Sequence, residues 1–176
     1  MTHQDDSKRN TRGLLRVFFY GTLKRGMWNH ERFCADALSI EEAVVRGRLY
    51  EMDCGLPVLQ VPDADILAHG TADPCADAAT QVRFEAEMAP IPRLRAKGRT
   101  RRGWGLIRGE LMTFDDPEER LPRLDRLEGY RPGGPSLYSR VLVPVFTDDE
   151  PVPAWAYVTG ENLRGMRGDI IPSWPR

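Results

Sequence analysis

Apolar residues gather along this chain in short runs, separated by polar or turn-forming stretches. Five runs have strand length and are rich in β-branched and aromatic residues: "LLRVFFY" (14–20), "AVVRGRLYEM" (43–52), "WGLIRGELMTF" (104–114), "LYSRVLVPVF" (137–146) and "VPAWAYVTG" (152–160). Between the second and third, "CGLPVLQVP" (54–62) reads as a turn followed by a short extended piece. Two stretches carry helical spacing instead. In "NHERFCADALSIEE" (29–42), Phe33, Ala37 and Leu38 fall on one face behind Asn29 as a cap. In "DDPEERLPRLDRLEGY" (115–130), Pro122 would clash with a preceding helical turn, which predicts a short helix starting near it. Leu124 and Leu127 would then face the core, and Gly129 would end the helix. The closing "DIIPSWPR" is apolar and aromatic enough to tuck back onto the body.

Five strands and two short helices predict an α+β fold, a small mixed β-barrel with flanking helices. Residues 14–176 form a single domain on this reading, and 1–13 form a disordered tail of charged and small polar residues. The segment from about 63 to 102 is rich in Ala, Asp, Pro and Arg and shows little periodicity, so it reads as a long insertion. It contains "RLRAKGRTRR" (93–102), a basic cluster of the kind that binds phosphate backbones. The cluster lacks interleaved aromatics and sits in a chain of net charge −1. A solvated loop is therefore expected, and nucleic acid is not an expected partner.

Composition narrows the class. The 176 residues suit one domain, and 41% hydrophobic with 29% charged residues is ordinary for a globular protein. No apolar run approaches the roughly 20 residues of a membrane span, so no membrane partner is expected. The polar opening "MTHQDDSKRNTRG" has no hydrophobic signal region, and the cytoplasm is the expected compartment. Cys34, Cys54 and Cys75, like His3, His30 and His69, are too scattered to suggest a disulfide framework or a metal site.

The chemistry starts at the turn after the first run. Gly21-x-x-x-x-Gly26 matches half of a phosphate-binding loop, but Met27 and Trp28 stand where Lys and Ser/Thr are needed. A second candidate is Glu128, just before the helix-ending glycine and between Leu127 and Tyr130. The dipole at a helix C-terminus and partial burial would both raise its pKa toward a value useful for proton transfer. Asp125 shares its helical face, with a structural hydrogen-bonding role expected. Tyr138 and Arg140 alternate on one face of the following strand. Either both line a pocket, Arg140 gripping a carboxylate, or Arg140 pairs with an acid such as Asp125.

Taken in order, "FFYGTLKRGMWNH", "VVRGRLYEM", "IRGELMTF", "LDRLEGY", "LYSRVLVPV" and "AWAYV" resemble the γ-glutamylcyclotransferase-like family, which includes γ-glutamylamine cyclotransferases and AIG2-type proteins. The resemblance covers residues 15–62 and 103–160. It implies a small β-barrel and a turn, here Tyr20, Gly21, Thr22 and Leu23, whose backbone N–H groups cradle a glutamyl head. It also implies that Glu128 is the catalytic acid/base, that a small γ-glutamyl compound is the substrate, that 5-oxoproline is released, and that no cofactor or metal is needed. The alternative within the same fold is a member that binds a metabolite without turning it over. Substrate identity and oligomeric state are not implied.

Overall fold

The computed structural model describes residues 13–88, 103–148, 151–159 and 169–175. Its strands are β1 (Leu15–Phe19), β2 (Ser39–Glu51), β3 (Pro57–Gln60), β4 (Ala68–His69), β5 (Gly105–Phe114), β6 (Tyr138–Phe146), β7 (Pro151–Thr159) and β8 (Asp169–Ile171). Its helices are α1 (His30–Phe33), α2 (Pro74–Glu87) and α3 (Pro117–Glu128).

Five of the strands close on themselves. β2 runs antiparallel to β5 from Ser39↔Thr113 to Gly47↔Gly105, and β5 pairs antiparallel with β1. β1 lies parallel to β7 at Val17↔Trp155, β7 is antiparallel to β6, and Val44↔Phe146 returns β6 to β2. The result is a closed mixed barrel, and closure removes the exposed edges that an open sheet would carry. The last residues of the long β2 leave the barrel and pair with β3 on one side and β8 on the other. β4 adds to β6 at Ala68↔Leu142.

Alternation along each strand makes two cores. Phe18, Val45, Ile107, Val143 and Ala156, one from each barrel strand, pack together and fill the interior. Their neighbours Val17, Met112, Leu142 and Trp155 point outward, where Cys34, Leu121 and Leu124 cover them. The interior depends on one missing side chain. A Cβ at Gly109 would stand 2.4 Å from the Phe19 carbonyl oxygen and 2.5 Å from the Phe18 ring, so glycine is what admits that ring.

The barrel and its flanking helices are the predicted architecture, and the C-terminal segment does return to the body, with Ile171 and Trp174 buried. Three elements differ from expectation. Helix α1 stops at Phe33, and β2 begins at Ser39, because residues 39–42 find ladder partners on β5 that outweigh their helical spacing. Helix α3 begins at Pro117 rather than near Pro122. Pro122 sits on its exposed face, where water can replace the missing amide.

The third difference lies in the 63–102 segment. It holds a turn of 3₁₀ helix at Asp63–Asp65, β4 and the 14-residue α2. The side chain of Asp73 caps α2 by accepting from the amides of Cys75 and Ala76, and Pro74 takes the first position. The helix lacks an apolar stripe because its buried face is Asp77, Ala78 and Gln81. Gln81 accepts from the Arg16 amide at 2.8 Å and donates to the Leu14 carbonyl at 3.0 Å. The basic cluster at 93–102 and all but the last residue of the 1–13 tail lie outside the described residues.

Candidate active site

Where β1 ends, the chain turns tightly. Lys24 N–H donates to the Gly21 carbonyl at 3.2 Å and Asn29 N–H to the Thr22 carbonyl at 3.1 Å. The Asn29 amide also donates to the Thr22 hydroxyl at 2.9 Å, and buried His30 meets the Leu23 carbonyl through Nδ1 at 3.0 Å. None of these bonds uses the amides of Gly21, Thr22 or Leu23. Gly21 is close-packed as well, since a Cβ there would come 2.9 Å from Pro57 Cγ.

The turn forms one wall of a cavity of about 220 Å³. Tyr20, Gly21, Thr22 and Leu23 line it together with Glu128 and Tyr138, so the structure brings the turn together with two residues more than 100 positions away in sequence. Phe18, Phe19, Asn29, Pro57, Leu127 and Tyr157 line it as well.

Glu128 is the last residue of α3. Gly129 stops the helix with φ 65° and ψ 31°, and the Tyr130 amide closes back onto the Asp125 carbonyl at 2.8 Å. The helix end therefore delivers the Glu128 carboxyl into the cavity. Burial pushes its pKa up to about 7. Among the described residues no cation or hydrogen-bond donor offsets that burial. The phenols nearby are engaged elsewhere: Tyr20 donates to the Tyr157 carbonyl at 2.7 Å, Tyr138 to the Pro57 carbonyl at 3.0 Å, and Tyr157 to Asp125 Oδ1 at 2.7 Å. Burial first, and the Glu128 charge among the lesser causes, raises the pKa of all three.

Arg140 stands outside this cavity. Its guanidinium is buried, with Nη2 2.9 Å from Asp77 Oδ2 and Nε 2.9 Å from Asp125 Oδ1. Nη2 also donates to the Thr71 carbonyl at 3.0 Å, and the group lies between the Tyr130 and Trp155 rings. Of the two expectations for Arg140, pocket lining gives way to pairing with acids, since both its charge and its position are taken up by α2 and α3. Asp125 accepts from Tyr157 as well, and burial raises its pKa against the pull of Arg140.

Two residues that matter here had no sequence signal of their own. Tyr157 sits in an apolar strand and reads as core. Asp77 sits on a helix whose periodicity is concealed by its polar buried face. No group of His, Cys, Asp and Glu among the described residues could hold a metal ion. No helix among the described residues is long and apolar enough to cross a membrane.

The family model described as "Gamma-glutamyl cyclotransferase, AIG2-like" matches residues 17–82 and 71–174, nearly the whole described chain. The chain belongs to that family. Among solved structures, an AIG2-like protein from Mus musculus superposes with a TM-score of 0.51 at 20% identity, covering 92% of this chain and 88% of its own. That likeness concerns the fold. An uncharacterized protein from Pyrococcus horikoshii gives a TM-score of 0.47 at 20% identity over 90% of this chain and 86% of its own. YkqA from Bacillus subtilis gives 0.49 at 21% identity over 90% of this chain and 38% of its own. No curated protein matches the sequence. Within the γ-glutamyl cyclotransferase, AIG2-like family, this chain brings its Y-G-T-L turn and the glutamate of L-D-x-L-E-G-Y to one cavity.

Proposed function

We propose that this protein is a γ-glutamyl cyclotransferase, which closes a γ-glutamyl amide into 5-oxoproline and releases the amine. One observation carries the reading: Glu128, a carboxyl held at about 7 by burial, shares a small cavity with the tight turn Tyr20–Leu23.

The chemistry follows from that arrangement. A substrate's α-ammonium cannot attack until it gives up a proton, and the Glu128 carboxylate accepts it. The freed nitrogen attacks the γ-carbonyl carbon, forming the ring C–N bond and an oxyanion. Protonated Glu128 then donates to the leaving nitrogen as the old C–N bond breaks. The ring nitrogen gives its extra proton to Glu128, which passes it to the departing amine. Two protons thus move from the α-nitrogen to the leaving nitrogen, and Glu128 ends as it began. A pKa near neutrality suits a group that must do both jobs.

The turn supplies the fixed partner. Amides of Gly21, Thr22 and Leu23 would serve the α-carboxylate or the developing oxyanion, with no side-chain cation required. Folding the glutamyl chain against this wall brings nucleophile and carbonyl together and lowers the entropic part of the barrel-bound reaction's barrier. Tyr138, anchored on Pro57, keeps its phenol oxygen beside Glu128.

Release of 5-oxoproline from a panel of γ-glutamyl amides, by wild type and Glu128→Gln in parallel, tests the proposal. Turnover that collapses in the variant supports it. A wild type silent across the panel would overturn the activity, and turnover that survives the substitution would overturn the role of Glu128.

A further inference from the structure

The cavity has an inner half and an outer half of different character. Its rim is made by Trp28, Leu56 and Leu137, each from a different loop. Trp28 follows the β1 turn, Leu56 lies between β2 and β3, and Leu137 lies between α3 and β6. All three are large apolar side chains left in water, with 67%, 42% and 44% of their surface exposed. Large apolar side chains clustered at the mouth of a pocket mark a binding surface rather than chance exposure.

Each is held in place. Trp28 meets Trp174 edge to face at 5.7 Å. The Leu137 amide donates to the Gly129 carbonyl at 3.0 Å, tying that rim residue to the helix end beside Glu128. The Leu56 carbonyl accepts from Met52 N–H at 3.0 Å, closing the turn that carries it. The rim is therefore a fixed surface on three anchored loops.

Charge is equally informative. Among the described residues lining the cavity, Glu128 is the sole ionisable group besides the tyrosines. Among the described residues lining the cavity there is no lysine or arginine to hold a carboxylate, and no aspartate or second glutamate to hold an ammonium. At about 220 Å³ the enclosed part is smaller than pockets that swallow a whole drug-sized ligand, commonly about 300–1,000 Å³. It has room for a glutamyl head, and the leaving group must lie against the rim.

The geometry points to a substrate class: γ-glutamyl amides whose amine half is uncharged and apolar, seated on Trp28, Leu56 and Leu137. This rests on the proposed cyclotransferase reading. A charged tail placed here would lose water without gaining a partner, whereas an alkyl or aryl tail would remove apolar surface from water on both sides.

Two matched compounds test it, γ-glutamyl n-pentylamide and the γ-glutamyl amide of diaminobutane. They differ only in a terminal methyl against a terminal ammonium. Wild-type kcat/KM should favour the pentylamide tenfold or more. Leu137→Asp should shrink or reverse that ratio, and Trp28→Ala should raise KM for the pentylamide more than for its charged counterpart. Calorimetric binding of both intact compounds to Glu128→Gln gives a reading that does not depend on turnover. Preference for the pentylamide there supports the apolar subsite even if wild type releases no 5-oxoproline, an outcome that would sink the cyclotransferase reading alone. Equal or stronger binding and turnover of the charged compound overturns the subsite and leaves the reaction standing. Failure of both compounds to bind overturns both.

Discussion

Tyr157 donates its phenolic proton to Asp125 across 2.7 Å and so ties the barrel wall to the helix that ends in Glu128. Asp125 also takes Arg140, so one carboxylate joins β7, β6 and α3. Replacing Tyr157 with Phe leaves that buried acceptor one donor short. Loss of such a partner typically costs about 1–3 kcal/mol. Tyr157→Phe should lower the unfolding free energy by that amount, seen as a lower urea midpoint with an unchanged m-value, and an unaltered midpoint would show that the bond contributes nothing net.

The Arg140 cluster should be less forgiving. Removing a buried cation from between two carboxylates leaves them uncompensated, at a cost of about 3–5 kcal/mol for a buried pair. Arg140→Met should therefore lose a large share of the roughly 5–15 kcal/mol of stability usual for a domain, and more at pH 8 than at pH 5, because burial has already raised the pKa of Asp125. Urea titrations at the two pH values would check both statements.

For catalysis the sign of the pH dependence follows from the role proposed for Glu128. As a base it must be ionised in the free enzyme, and its pKa is raised to about 7. kcat/KM should fall about tenfold per pH unit below that value and level off above it. In Glu128→Gln this limb should vanish along with about 10²–10⁴ of the rate. A profile flat from pH 5 to pH 8 in wild type would exclude Glu128 as the titrating base.

The same carboxyl has a thermodynamic signature of opposite usefulness. Its folded pKa of about 7 lies above the ordinary glutamate value of about 4.3, so the native state holds the proton more tightly than the unfolded chain. That stabilisation is complete below the unfolded value and is lost as pH rises through about 7. Glu128→Gln escapes the loss. The variant should be more stable than wild type at pH 8, by about 1–3 kcal/mol once solvent access is allowed for, and should match it near pH 4.

Gly129 is held in the left-handed region at φ 65°, and a Cβ there would stand 3.1 Å from Leu137 Cβ. Gly129→Ala should cost about 1–2 kcal/mol from the backbone alone. It should also reduce kcat, since the residue before it is Glu128. Thermal melts and steady-state kinetics would separate the two effects.

Much of this could be read along the chain, and the rest was hidden for identifiable reasons. The barrel strands showed themselves through runs such as "LLRVFFY", and Gly129 announced a helix end that the structure places at that residue. Glu128 was recognisable because it combined a helix terminus, apolar neighbours and a family-like motif. Helix α2 escaped because its buried face is Asp77 and Gln81, which no hydrophobic period records, although Asp73-Pro74 was a legible start signal. Arg140 was ambiguous because strand alternation gives a side, not a partner, and its partner Asp77 comes from that unrecognised helix. The apolar rim could not be foreseen either: Trp28, Leu56 and Leu137 are ordinary loop residues until the fold makes them neighbours.

The parallel pairing of β1 with β7 has a consequence for the order in which this protein can be made. Tyr20 and Tyr157, joined by one hydrogen bond at the cavity, are separated by 137 positions in the chain. During synthesis the turn emerges long before, and the glutamate shortly before, β7 arrives to complete the wall between them. A nascent or prematurely terminated chain lacking that strand would carry both motifs and have no enclosed site. Competence comes with the last barrel strand, as a late and all-or-none event in the life of each molecule.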